Sequence, residues 1–115
     1  NFNDALKFNN KINFEMFAFK YDSRLLQFKI YYELGYFNEA YSLIDSHRHF
    51  ITNNKTVSEH YKLMHTNFLN FYTRILTVKE KEKDRNSIPM LVNEITGTNN
   101  VISKVWLIDK ANDLF

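Results

Sequence analysis

The sequence predicts an all-α fold: antiparallel helical hairpins stacked as a short right-handed superhelix, closed at the C-terminal end by a helical cap. Three observations carry this. Apolar residues recur at helical steps of three, four and seven through most of the 115 residues. Gly (2) and Pro (1) are too scarce for an all-β chain built on tight turns. Phe2-Asn3-Asp4-Ala5 returns as Phe37-Asn38-Glu39-Ala40, a step of 35 positions (2 to 37), close to the ~34-residue period of a two-helix repeat unit.

Residues 2–13 read as a first helix, with Phe2, Ala5, Leu6, Phe8, Asn9 and Ile12 near helical spacing and Asn9-Asn10 weakening its end. Phe14–Phe19 is expected to be a connector whose aromatics plug the gap between helices. A second helix is expected from Tyr21 to Leu34, with Asp22 or Ser23 near its start. Leu25, Phe28 and Tyr32 form its inward stripe, widened by Leu26, Ile30 and Leu34. Gly35 stands where a left-handed residue ends a helix. A third helix over 37–52 starts near Asn38, turns Phe37, Ala40, Tyr41, Ile44 and Ile51 inward, and stops at Asn53-Asn54.

Thr56-Val57-Ser58-Glu59 has the form of a capping box ahead of the longest helix, 57–82. Its stripe is Tyr61, Met64 or His65, Phe68, Phe71 or Tyr72, and Ile75. The mixed-sign run Lys79–Arg85 ends it. Ser87-Ile88-Pro89 opens a short helix that stops at Gly97, with Pro in the first turn. Asn99-Asn100 is expected to cap a last helix carrying Val101, Ile102, Val105, Trp106, Leu107 and Ile108. The count is six helices: residues 1–54 as repeat helices, 55–115 as a long helix and two short capping helices of the same domain.

The segment Tyr31 to Ile44 resembles the tetratricopeptide repeat. Tyr31 falls at the inward aromatic of that family's first helix, Gly35 at its turn, Phe37 at the aromatic opening the second helix, and Ala40 at the small residue where the two cross. Helices approach to ~8 Å only where one side chain is small. Phe28 and His47 stand where the family has small residues, and no Pro closes the unit near Thr52-Asn53. The resemblance covers 21–54 well, 1–14 through Phe2 and Ala5, and nothing beyond. The run Tyr31–Gly35 followed by Ser42–Ser46 also resembles C-terminal segments of bacterial repeat proteins. With no Met at the start and no helix ahead of Phe2, the sequence reads as a fragment whose earlier repeats precede it. A solenoid exposes the apolar face of its last repeat, so the divergent residues 55–115 are expected to cover it, with Trp106 as the plug.

Function classes narrow in the same way. A net charge of +2 gives no strong pull toward nucleic acid or anionic membrane. The absence of Cys removes thiolate metal sites and Cys nucleophiles, and fits a reducing, cytoplasmic setting. No apolar run reaches the ~20 residues that span a bilayer. His47 and His49 are two apart and His60 and His65 five apart, so neither pair shares a helical face, and no metal site is expected. Tyr31, Tyr32, Tyr36, Tyr41 and Phe50 beside Arg48, Lys55 and Lys62 are types that stack bases, but aromatics at helical spacing belong to cores. Glu33, Glu39 and Asp45 lack a paired Ser, His or Lys for acid–base work, and neither Gly belongs to a phosphate loop.

The expectation is therefore a non-catalytic scaffold, with no cofactor, binding a protein or peptide and not nucleic acid directly. The resemblance implies a concave groove lined by first helices, with Arg24, Gln27, Lys29 and Tyr31 as groove residues and Gly35, Phe37 and Ala40 as repeat residues. The alternative expectation is a regulatory or sensor helical domain of a larger protein whose DNA-binding or catalytic part lies outside these residues.

Overall fold

Between residues 2 and 34 the chain contains neither Gly nor Pro, and the structure runs through them as one helix. The computed structural model describes residues 1–115 and is all-helical: α1 (Phe2–Leu34), α2 (Phe37–Asn53), α3 (Glu59–Lys81), α4 (Ile88–Gly97) and α5 (Lys104–Asp113), with a 3-10 turn at Arg85–Ser87. The expected end of a first helix near residue 13 and the connector at Phe14–Phe19 are absent. Two Asn residues cost a helix only about 0.7 kcal/mol each at most, too little to end it. Asn1 caps α1, its side chain accepting from the Asn3 N–H at 2.9 Å, while Asp22 and Ser23 lie mid-helix.

The unbroken α1 corrects the repeat. Phe2–Ala5 sits at the open end of α1, whereas Phe37–Ala40 begins α2. Phe2 is 96% exposed and Ala40 fully buried, so the two matching segments are not equivalent units. There are five α-helices, not six.

Gly35 makes the hairpin between α1 and α2. At φ 73° it is left-handed, and the next N–H, of Tyr36, reaches back to Tyr31 O at 2.9 Å while its own reaches Tyr32 O at 3.3 Å. This closes the helix end by the paired bonds of a Schellman turn. Tyr36, not Asn38, occupies the N-cap of α2, and Asn54 ends that helix as the sequence suggests. Ser58, not Thr56, caps α3, its Oγ accepting from the Tyr61 N–H at 3.2 Å. The Thr56 N–H is instead donated to Asn54 Oδ1 at 2.9 Å. Pro89 stands in the first turn of α4.

Asn99-Asn100 does not cap α5. That loop is pinned to α3, with Ile102 N–H donating to Met64 O at 3.3 Å and Asn67 Nδ2 donating to Asn100 O at 2.9 Å.

Helix α2 packs against α1 and α3, α3 against α5, and α5 against α4. One contiguous core runs from Tyr21 to Ala111 and so joins residues 1–54 to 55–115. Its centre is aromatic. Phe28 of α1 meets Tyr72 of α3 at 4.9 Å between ring centroids, and Tyr72 donates its hydroxyl to Phe28 O at 2.7 Å. Trp106 of α5 is half-buried against this cluster, stacked on Tyr72 at 6.1 Å and edge-on to Tyr32 at 5.4 Å. It covers the α1–α3 side of the cluster. The molecule measures 60 × 29 × 19 Å. Its long axis reflects α1, whose 33 residues extend about 50 Å at 1.5 Å per residue.

Candidate functional site

Helix α1 is apolar on two opposite faces. Its buried residues are Tyr21, Leu25, Phe28 and Tyr32, steps of four, three and four that keep one face against α2 and α3. On the far side stand Ile12, Met16, Phe19, Leu26 and Ile30, 38%, 65%, 73%, 60% and 44% exposed. At 100° per residue, these positions are centred about half a turn from the buried set. Phe8 and Leu34 extend the same stripe toward the two ends. Leu26, Ile30 and Leu34 therefore do not widen the inward face, as their spacing suggested. They belong to a second stripe, because a step of one residue carries the side chain 100° around the helix.

Inside the hairpin lies a polar chain that the sequence reading missed. His47 of α2 and His65 of α3 are both fully buried, with His47 Nε2 and His65 Nδ1 3.4 Å apart. Arg24 of α1 approaches His47 Nδ1 at 3.3 Å and donates to Ser46 O at 3.4 Å. Arginine only donates, so His47 Nδ1 accepts, its Nε2 carries the proton and donates to His65 Nδ1, and the proton of His65 is on Nε2. That last group, the Tyr21 hydroxyl and Asn54 Nδ2 are buried without a partner.

Burial holds both imidazoles neutral. It pushes His47 down to about 3, helped by His65 and Arg24, and His65 down to about 4. Burial likewise raises the Tyr21 hydroxyl. A cation would need the two facing nitrogens, but one already carries a proton aimed at the other. No three His, Cys, Asp or Glu side chains converge anywhere in the chain. Arg24, His47 and His65 thus tie α1, α2 and α3 together through polar contacts.

The expected groove residues are not brought together as a set. Arg24, Gln27 and Tyr31 share a flank of α1, at steps of three and four. Lys29 lies on the other flank, its ammonium 6.0 Å from the Trp106 ring centroid. Arg24 is spent internally, stacked over Phe50 at 4.6 Å besides its hydrogen bonds. Gln27 is exposed. Tyr31 borders an open recess of about 460 Å³ with Asn38, Glu39, Ser42, Leu43 and Ser46. Of the repeat residues, Gly35 turns the hairpin, Ala40 is fully buried and Phe37 half-buried against the core.

Of the aromatics weighed for base stacking, three are engaged within the molecule, while Tyr36 is 49% exposed. Tyr32 is buried, Tyr41 shares a hydrogen bond with Thr77 at 3.2 Å, and Phe50 lies under Arg24 and Lys20.

The class that the fold defines is an all-helical protein built on one core. No helix is long and apolar enough to cross a membrane. No family model, curated protein or solved structure matches this chain.

Proposed function

We propose that this chain is a non-catalytic helical scaffold of the tetratricopeptide kind, binding a protein partner through the outer face of α1. One observation carries the reading: an uncharged apolar stripe stays open to solvent along a helix whose other face, from Tyr21 to Tyr32, is buried in the core. Contiguous exposed apolar surface of this extent is uncommon on a monomer and marks interaction sites. The superhelical part of the reading draws support from the Gly35 turn, the buried Ala40 and the docking of α3 on α2. The C-terminal pair α4–α5, with Leu91, Ile95, Leu107 and Ala111 buried, suits a cap. The cytoplasmic setting belongs to the same proposal.

The test is affinity capture from the cell's own extract on immobilised chain, wild type beside the double variant Ile12→Glu/Leu26→Glu. Both positions are exposed, so the variant keeps its fold, which circular dichroism checks. A protein retained by wild type and lost by the variant is expected. Equal retention by both overturns the assignment of this face.

A further inference from the structure

We infer that the partner seated on the outer face of α1 is a second copy of this chain, paired with it as a parallel two-stranded coil. This rests on the reading of that face as the contact surface and names its occupant. The stripe follows a heptad. Asn9, Met16, Ser23 and Ile30 fall seven apart at one seam position, and Ala5, Ile12, Phe19 and Leu26 at the other. The buried Tyr21, Phe28, Leu25 and Tyr32 fall at the heptad positions farthest from that seam. Each copy's body therefore points away from the pairing face, and two copies meet without collision.

Charge selects the orientation. In a parallel pair, a residue flanking the seam lies beside the residue five positions later on the other flank of the partner. Glu15 then meets Lys20 of the second copy, twice by symmetry, and Asp22 meets Gln27. Lys20 is exposed, its ammonium 5.1 Å from the Phe50 ring centroid, and has the reach to turn to Glu15. An antiparallel pair with Met16 opposite Phe19 sets Glu15 against Asp22, again twice, which is repulsive. Asn9 at a seam position meets its own equivalent only in the parallel register, the arrangement in which a buried Asn pair fixes strand number and alignment.

Area agrees. Phe8, Ile12, Met16, Phe19, Leu26 and Ile30 are together a little over half exposed. At ~150–200 Å² for such side chains this is roughly 600 Å² of apolar surface per copy, before the flanking residues, against about 800 Å² per partner in a standard interface.

Sedimentation of the whole chain across micromolar to near-millimolar concentration tests the inference. The expected mass rises from 13.9 kDa to twice that value. Ile12→Glu/Leu26→Glu should stay monomeric with unchanged helicity. Glu15→Lys should weaken the dimer several-fold, and adding Lys20→Glu should restore it. Because the chain has no cysteine, Ser23→Cys gives a single thiol that should cross-link to its own equivalent under mild oxidation.

A chain monomeric at every concentration overturns the inference. So does a dimer indifferent to Ile12→Glu/Leu26→Glu, or one in which Ser23→Cys fails to cross-link. A monomeric chain that still captures another protein through Ile12 and Leu26 overturns the second copy while leaving the scaffold reading in place.

Discussion

His47 Nε2 and His65 Nδ1 face each other at 3.4 Å in a site closed to solvent, where a charged imidazole is disfavoured. Both histidines sit near 3 and 4 in the folded chain, against 6.5 when free. Below 6.5 the unfolded chain therefore binds protons that the folded chain refuses. Stability is flat above that value and falls as pH drops through 6.5 toward 4. The loss at pH 5 approaches about 2 kcal/mol for each histidine. Urea titrations at pH 7.5, 6 and 5 should show the midpoint falling. In His47→Leu/His65→Leu the profile over this range should flatten. A wild-type midpoint unchanged between pH 7 and 5 would refute the neutral buried pair.

Ala40 has no exposed surface on the inner face of α2, one turn after the Gly35 hairpin. Leucine there adds volume that neighbouring rotamers cannot absorb without backbone shifts, which costs ~1–3 kcal/mol. Ala40→Leu should lower the thermal midpoint, and the far-ultraviolet spectrum before melting should stay helical. An unchanged midpoint would mean that α2 does not pack closely at that turn.

How much of this was legible in the sequence depends on whether a feature is local. The Gly35 turn was legible because a left-handed helix end selects glycine by sterics alone. So was Pro89 in a first turn, where its missing N–H has no partner to lose. The continuity of α1 was not, because weak helix formers such as Asn9 and Asn10 slow a helix without ending it. The split of Lys29 from Tyr31 was readable, since residues two apart lie about 200° apart on a helix. The His47–His65 pair was not, because it spans two helices and only tertiary packing brings them together. A signal existed nonetheless. His47 continues the stripe Ala40, Ile44, Ile51, and His65 continues Tyr61, Phe68, Tyr72. A histidine in register with a buried stripe needs a partner from across the core, whereas pairing histidines by proximity in sequence finds none.

Tyr72 donates its hydroxyl to Phe28 O at 2.7 Å, tying α3 to α1 through the aromatic centre. Tyr72→Phe keeps the ring contacts with Phe28, Phe68 and Trp106 and removes that bond alone. The expected cost is about 1 kcal/mol, a fall of roughly 4 °C in midpoint for a domain of this size. Trp106, the one tryptophan, stacks on the same ring, so its fluorescence reports the transition directly. The emission of the folded variant should match wild type, since the stacking partner remains. A red-shifted folded spectrum would mean that the hydroxyl, rather than the ring, positions α5.

The outer half of α1 should be the least protected part of the molecule. Residues 2–16 are exposed throughout, and a helix of that length without packing is marginal in water. Its amides are held only by the helix itself, so they open at a cost near zero. Those of 24–34 open only with the core, which for a domain of this kind means several kcal/mol. Hydrogen exchange should therefore be at least about a thousandfold faster in the first segment than in the second. In dilute monomer, Asn9→Ala/Asn10→Ala should narrow the gap, because alanine raises helix propensity at two positions exposed in the single chain by about 0.5 kcal/mol each. Uniform slow exchange along α1 in dilute monomer would show that packing from the rest of the chain reaches the outer half. Protection that appears there only as concentration rises is the signature of pairing through Ile12 and Phe19, since no other change in the molecule scales with the number of copies.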